Sequence, residues 1–313
     1  MVDTVPDLAV LVLAVVLDLA VGELPARFHP TVWMGRTVAF GEKLAPRNGL
    51  AGMAAGGVLA LLAAGLGAAA AYFAVRGLHG VHDVAYVLVG AVLLKTTFSL
   101  RMLHRAAAWV SGLLALGDIT QARCDLRSLV SRDTSGLSPE QAAAAAVESV
   151  SENVTDSFIG PWLFFALFGL PGAVAYRTVN TLDSMIGYHG EYEHLGKVSA
   201  RLDDLLNLVP ARLAGLLIVF GSLFLPGQRA RGAWRIMWRD HSRTESPNAG
   251  WAMSGMAGAL GVELEKKGHY RLGDGTRPVE VHDIAQAVRS MYLVAGLGLL
   301  AALGLTALRH GIL

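Results

Sequence analysis

The chain has 313 residues, of which 53% are hydrophobic and 16% charged, with a mean hydropathy of +0.47. Soluble domains carry about a quarter charged residues, so much of this surface is expected to face lipid. A net charge of +1 speaks against a nucleic-acid partner, and the single Cys124 excludes an intrachain disulfide and implies no oxidising compartment.

The first seven residues contain Asp3 and Asp7 and no Lys or Arg. A secretory signal needs a basic start, so the first apolar run is expected to stay in the mature protein. Six apolar runs, about 5–21, 50–75, 84–100, 158–176, 205–225 and 291–308, approach the ~20 residues of a membrane helix. The fourth is interrupted by Gly160-Pro161 and by Gly169 to Gly172. It reads as a re-entrant hairpin, which the bilayer tolerates where protein covers the backbone.

The resulting expectation is an all-α integral membrane protein with about four to six transmembrane helices, re-entrant segments and cytoplasmic amphipathic helices. It is read as one polytopic domain over 1–313, with polar, site-forming loops at about 101–157, 177–204 and 229–290. Within and near these loops, 101–116, 119–131, 138–157 and 229–243 read as helices. Ser138 is the candidate N-cap of the third and Pro139 its first residue. Lys and Arg set orientation. Segments 22–49, 95–157 and 226–290 are basic, which places them in the cytoplasm and the N-terminus outside. A strict six-span count puts 177–203 outside, whereas a re-entrant run returns it to the cytoplasmic face. The second arrangement is preferred because that stretch is rich in polar residues.

Four constellations carry candidate chemistry. Glu148, Glu152 and Asp156 recur at i, i+4 and i+8 and form one acidic stripe on a helix, with Asn153 beside it. Like charges at this spacing repel, so a cation or a basic partner from elsewhere is expected. Oxygen ligands of this kind suit Mg²⁺ bound together with phosphates; the plainer reading is a solvated helix face. Arg177, Asn180, Asp183 and Ser184 border the broken apolar run, either lining a cavity or capping a re-entrant helix. Asp203 and Asn207 share a face beside Asp204 and Arg201. Adjacent carboxylates entering an apolar run need partners, whether a metal, a substrate or an ion-pair network. Finally, Arg231, Arg235, Arg239 and Arg243 alternate with Trp234 and Trp238, as in an interfacial membrane anchor; an anionic substrate is the other reading. The segment Ser246–Trp251 reads as a loop. Gly190–Lys197 has the wrong spacing for a P-loop, and no paired-cysteine zinc site or HExxH motif is present.

The wording of several segments goes further. Arg-Asp-Thr-Ser-Gly-Leu at 132–137, Ala-Val-Glu-Ser-Val-Ser-Glu-Asn at 146–153, and Asn-Thr-Leu-Asp-Ser-Met-Ile-Gly-Tyr at 180–188 resemble the cobalamin-biosynthesis CbiB/CobD family of adenosylcobinamide-phosphate synthases. So do the blocks at 199–213, 246–251 and 256–262. The opening, with Leu17-Asp18-Leu19, Gly22, His29-Pro30 and Gly35-Arg36, is similar too. The resemblance runs in order from about residue 17 to about 290. Glu23, Ser151 and Lys197-Val198 depart from the family pattern and leave the acidic and amide positions intact.

The resemblance implies an ATP-dependent amide ligation. The free propionate of adenosylcobyric acid joins the amine of (R)-1-amino-2-propanol O-2-phosphate or a related amino alcohol, with Mg²⁺ as cofactor, ATP as cosubstrate and the corrinoid as substrate. Chemistry then assigns catalytic work to Glu148, Glu152, Asp183, Asp203 and Asp204, with Glu148, Glu152 and Asp156 holding the metal. Substrate binding falls to Arg36, Arg132, Asn153, Asn180, Arg201, Asn207 and Asn248. No DxHxxG motif is present, so the corrinoid is expected to be held without a histidine on cobalt. The expected location is the cytoplasmic (inner) membrane, multi-pass, with the site facing the cytoplasm. The lipid bilayer and other membrane-bound cobalamin-assembly enzymes are the candidate partners. Two other readings stand: a corrinoid-binding or transporting membrane protein without ligase activity, and a related scaffold or sensor that has lost its chemistry.

Overall fold

In the computed structural model, which describes residues 4–130, 132–188, 190–275 and 277–311, the chain is mostly helical with very little sheet. Asp3 lies outside the described residues. Helix α1 spans Thr4–Ala20, α2 Pro30–Leu44, α3 Gly49–Val81, α4 Asp83–Lys95, α5 Leu100–Ala115 and α6 Ile119–Leu126. They are followed by α7 at Pro139–Val154, α8 at Gly160–Ile186, α9 at Lys197–Leu206, α10 at Leu208–Gly221, α11 at Ala230–Asp240 and α12 at Ala249–Leu260. A two-stranded antiparallel hairpin, β1 Leu264–Lys266 and β2 Tyr270–Leu272, pairs Leu264 with Leu272 and precedes α13, Val281–Arg309.

Local sequence explains most of these boundaries. Pro30 opens α2, where a missing N–H costs nothing. The His82 side chain accepts from the Val84 amide at the head of α4, and Asp118 does the same for Gln121 in α6. At α7 the Ser138 side chain and the Gln141 side chain cap each other's backbone reciprocally, with Pro139 at the first position, as the sequence predicts. The loop expected at 246–251 is shorter than that, because α12 begins at Ala249. The polar stretches read as loops at 101–157, 177–204 and 229–290 are mostly helical, with the β-hairpin lying in the last.

Among the described residues, four helical stretches are long and apolar enough to cross a membrane: Gly49–Val81, Asp83–Ala115, Pro139–Ile186 and Val281–Arg309. A fifth counts if the broken pair Lys197–Leu206 and Leu208–Gly221 is one span. Only 11% of the most apolar window of α3 is buried within the protein. Leu61, Leu62, Leu66 and Phe73 point outward, which is stable where the surrounding solvent is lipid.

The stretch Pro139–Ile186 passes on length and composition, yet its second part does not run straight. α8 breaks at Gly169, whose φ of 68° and ψ of −163° belong to a region essentially reserved for glycine. Pro171 follows and cannot donate an N–H to the turn before it. A straight helix would separate Gly160 from Tyr176 by about 24 Å. Instead, a Cβ placed on Gly160 would lie 2.2 Å from the Tyr176 hydroxyl, and Phe164 stacks on Tyr176 with ring centroids 5.0 Å apart. The run therefore folds back as a helical hairpin, in agreement with the re-entrant reading. Carbonyl groups released by such a break need donors. Arg309 Nη1 donates to the Phe165 carbonyl at 3.0 Å, and Arg309 is itself held by buried Asp7, which also accepts from the Tyr86 hydroxyl.

A hairpin returns the chain to the side it left. A reporter fused at Glu191 should therefore give the same sidedness as one fused at Gly160, with both signalling the cytoplasm. Opposite signals would show that α8 crosses the bilayer after all.

The chain divides into two compact units, each assembled from discontinuous segments. The first comprises Met1–Ser99, Gly160–Asn207 and Leu299–Leu313. Within it α1 packs on α4, and α8 packs on α2, α3 and α9. Val38, Ala60, Leu182, Ile186 and Leu195 form a fully buried cluster there. The second comprises Leu100–Ile159 and Leu208–Gly298. In it α12 packs on α7, α10 and α11 around Ala211, Met237 and Trp251.

Candidate active site

In the second unit the alanine run Ala142–Ala146 is buried, and small side chains allow the α7 backbone to pack closely. This seats Glu148 in the interior, at 5% exposure. Its Oε1 accepts from the Tyr270 hydroxyl at 2.6 Å and from Arg132, which also donates to the Glu265 carbonyl at 3.1 Å. Arg132 is thus the basic partner that the acidic stripe requires. Burial, the Glu148 charge and the hydrogen bond to it push the Tyr270 phenol well above its ordinary value. Tyr270 therefore remains a donor. The second oxygen of Glu148, Oε2, is buried and has no hydrogen-bond partner among the described residues.

One turn along, Glu152 is exposed and lies within electrostatic reach of Lys266 and Arg132. Asp156 falls in a single turn of π-helix, Thr155–Ile159, where the α-helical register of the stripe ends. Among the described residues, no group of three His, Cys, Asp or Glu side chains could hold a metal ion. Glu148, Glu152 and Asp156 are therefore not a preassembled three-carboxylate site. Magnesium that binds with phosphates takes only one or two protein carboxylates. The orphaned Glu148 Oε2 and the exposed Glu152 match that smaller requirement. Asn153 turns its amide back onto its own helix, donating to the Ser149 carbonyl at 2.9 Å.

The first unit gathers the amide and carboxylate positions of α8 and α9. Asn180 donates to Asp203 Oδ1 at 3.3 Å and Asn207 donates to Asp203 Oδ2 at 2.9 Å. Arg177 Nη1 donates to Asn180 Oδ1 at 3.1 Å, and the Tyr176 hydroxyl donates to Asn207 Oδ1 at 2.6 Å. Asp203 is thus held from both sides by amides whose own oxygens are fixed. Asp183 sits within electrostatic reach of Asp203 and Asp204. The close approach that brings α9 to α8 depends on Gly196, where a Cβ would lie 1.6 Å from the Ile186 carbonyl oxygen. Tyr176 escaped the sequence reading. Its spacing four residues before Asn180 is the signal that could have flagged it.

The other expected positions are placed differently. Arg201 is 76% exposed and lies 3.5 Å from Asp204 on its own helix. Arg36 is exposed on α2. Asn248 is buried ahead of α12, where it accepts from Arg212 Nη1 at 3.0 Å; the Arg212 guanidinium lies over the Trp251 ring. On α11, Trp234 and Trp238 are half exposed, as an interfacial reading requires. Its arginines are partly neutralised within the protein, however. Arg235 and Arg239 reach Asp274, while Arg239 and Arg243 reach buried Asp240.

A further ionic cluster in the first unit links the start of the chain to the end of α4. Lys95, 3% exposed, lies 2.7 Å from Glu23 and 3.6 Å from Asp18, and Glu23 is 2.8 Å from His29. Burial alone would raise the Glu23 carboxyl; contacts with His29, Lys95 and Ser99 and the Lys95 charge overcome it and bring the carboxyl down to about 2. Because this lies below the ordinary 4.5, the stabilisation is complete above that value and is lost as pH falls toward 2. Thermal unfolding of Glu23→Gln in detergent should show a deficit near neutral pH that closes across this acid window. A deficit independent of pH would contradict the linkage.

Comparison with known proteins identifies the family. Residues 11–291 match the CobD/Cbib protein family. The chain is 48% identical over 273 residues to the cobalamin biosynthesis protein CobD of Dehalococcoides mccartyi, covering 87% of this chain and 88% of that one. It is 43% identical to a probable cobalamin biosynthesis protein CobD of Methanothermobacter thermautotrophicus, over 95% and 97% of the two chains. The cobalamin biosynthesis protein CbiB of Salmonella typhi is 38% identical over 92% of this chain and 93% of its own. No solved structure matches. With the family match and these near full-length relatives, the chain belongs to the CobD/CbiB family of cobalamin biosynthesis proteins.

Proposed function

We propose that this protein is an adenosylcobinamide-phosphate synthase, joining adenosylcobyric acid to an aminopropanol phosphate at the expense of ATP. The observation that carries this reading is Glu148. It is a buried carboxylate with one oxygen fixed by Arg132 and Tyr270, its other oxygen unpartnered, and Glu152 one turn away. Such a group suits the binding of a cation together with phosphate.

A carboxylate does not acylate an amine at neutral pH without activation. In the proposed sequence the propionate oxygen attacks the γ-phosphorus of ATP, the bond to the bridging oxygen breaks, and ADP leaves with an acyl phosphate remaining. The amine nitrogen then attacks the acyl carbon, the C–O bond breaks, inorganic phosphate leaves, and the amine gives up a proton. Glu148 and Glu152 would hold Mg²⁺, which when bound neutralises phosphate charge. Arg132 holds Glu148 oriented through its ion pair. Asp183, Asp203 and Asp204 form a concentration of negative charge that favours the substrate ammonium, with Asp183 or Asp203 taking its proton. Such proton transfer contributes roughly 10²–10⁴-fold. Asn180 and Asn207 hold Asp203 in place for this work.

The test is turnover by the purified protein in detergent with adenosylcobyric acid, aminopropanol phosphate, ATP and Mg²⁺. Adenosylcobinamide phosphate, identified by mass and dependent on all four components, is the expected result. Corrinoid binding without product would favour the binding or transport reading.

A further inference from the structure

In the second unit a pocket of about 560 Å³ opens between the segment 132–144, the β-hairpin, Gly275 and the segment 277–279. Arg132 lines it and also contacts Glu148; Lys266 lines it and is within electrostatic reach of Glu152. The pocket therefore adjoins the acidic stripe. Lys266 and Lys267 make no ion pair among the described residues, whereas the other cations of the wall are engaged: Arg132 with Glu148, and Arg277 with buried Asp283. Two ammonium groups left open beside a cavity of this size are suited to phosphate oxygens. Leu137, Pro278 and Val279 give the same pocket an apolar wall.

Four carboxylates also line it: Asp133, Glu140, Glu263 and Glu265. Arg271 pairs with Glu263 and Glu265. Asp133 accepts from Ser135 with the Arg127 charge in reach, and Glu140 accepts from Ser138 and its own amide; neither makes an ion pair among the described residues, and both would repel a bare polyphosphate. A phosphate ligand that brings its own divalent cation meets no such repulsion, and a nucleoside triphosphate does so in solution.

We infer that this pocket takes the polyphosphate of a nucleoside triphosphate together with its divalent cation, with Lys266 and Lys267 on the phosphates and the apolar wall against the base. The assignment rests on the ligase reading for its substrate class and locates one substrate at a site of its own.

Equilibrium dialysis of labelled ATP against the full chain in nanodiscs tests it. Lys266→Gln/Lys267→Gln should weaken MgATP binding about tenfold or more, since each charged hydrogen bond to phosphate contributes appreciably. Chelation of Mg²⁺ should weaken binding to the wild type. Arg229→Gln/Arg231→Gln removes the same charge from exposed positions on and beside α11 and should leave binding unchanged. Equal affinity in the lysine variant overturns the proposal, as does equally tight binding without Mg²⁺. Displacement of ATP by aminopropanol phosphate, at concentrations where inorganic phosphate has no effect, would assign the pocket to the amino alcohol and also overturn it. Unchanged nucleotide affinity alongside ATP-dependent amide formation removes the pocket and leaves the ligase reading intact. MgATP bound through these lysines with no amide formed removes the ligase reading and leaves the pocket.

Discussion

Glu148→Ala should abolish turnover and also destabilise the protein, whereas Glu152→Ala should abolish turnover alone. The difference follows from burial. Glu148 is the acid partner of Arg132, whose side chain is 13% exposed. Removing one member of such a pair leaves a buried charge without compensation, at a cost of about 3–5 kcal/mol. Tyr270 would lose its acceptor in the same step. Glu152 is exposed and makes no ion pair among the described residues, so its removal should leave the unfolding temperature in detergent near that of the wild type. Loss of an electrostatic group that acts on developing charge costs roughly 10²–10³-fold in kcat. Measuring kcat and the unfolding temperature for both variants separates the two roles. Wild-type turnover in Glu152→Ala would remove that residue from the site. Full activity in a folded Glu148→Ala would mean the pair with Arg132 is structural alone.

The second large effect is expected at Asp203. Asp203→Ala leaves the Asn180 and Asn207 side-chain amides without the acceptor they share, and it removes one of the carboxylates that face Asp183. Each partly buried amide left unsatisfied costs about 1–3 kcal/mol, so a measurable drop in stability accompanies the loss of activity. The activity loss should be about 10²-fold or more if Asp203 acts on the amine. Tyr176→Phe provides the comparison. It removes only the hydroxyl that fixes Asn207, so it should lower kcat modestly while keeping the Asp203 charge. An equal loss in the two variants would indicate that the network acts through packing. A rise in the KM for aminopropanol phosphate in Asp203→Ala, with the KM for ATP unchanged, is the signature of an amine-side role.

The scarcity of charge and the six apolar runs were enough to read a helical membrane protein from the chain alone. Ser138 and Pro139 announced the start of α7 because capping is decided within a few residues. Gly169 and Pro171 announced the break in α8 because each restricts the backbone at its own position. The stripe from Glu148 to Asp156 was legible because helical spacing is local, although the π-turn at Thr155–Ile159, which ends that spacing, was not. Helix α12 and the β-hairpin were missed. The first is rich in Gly and Ala and shows no amphipathic period, and the strands have only three residues each. What only tertiary structure decided is which groups meet. Arg132 finds Glu148 across 16 residues, Tyr270 finds it across 122, and Lys95 closes on Glu23 from the far end of α4. Such pairings depend on how helices pack, and packing is set by the summed fit of many apolar and small side chains along each interface. The chain by itself therefore determined where the candidate polar groups stand along each helix. The folded packing decided that Glu148 is buried with one oxygen open, that Asp203 is gripped by two amides, and that Arg201 and Arg36 remain at the surface.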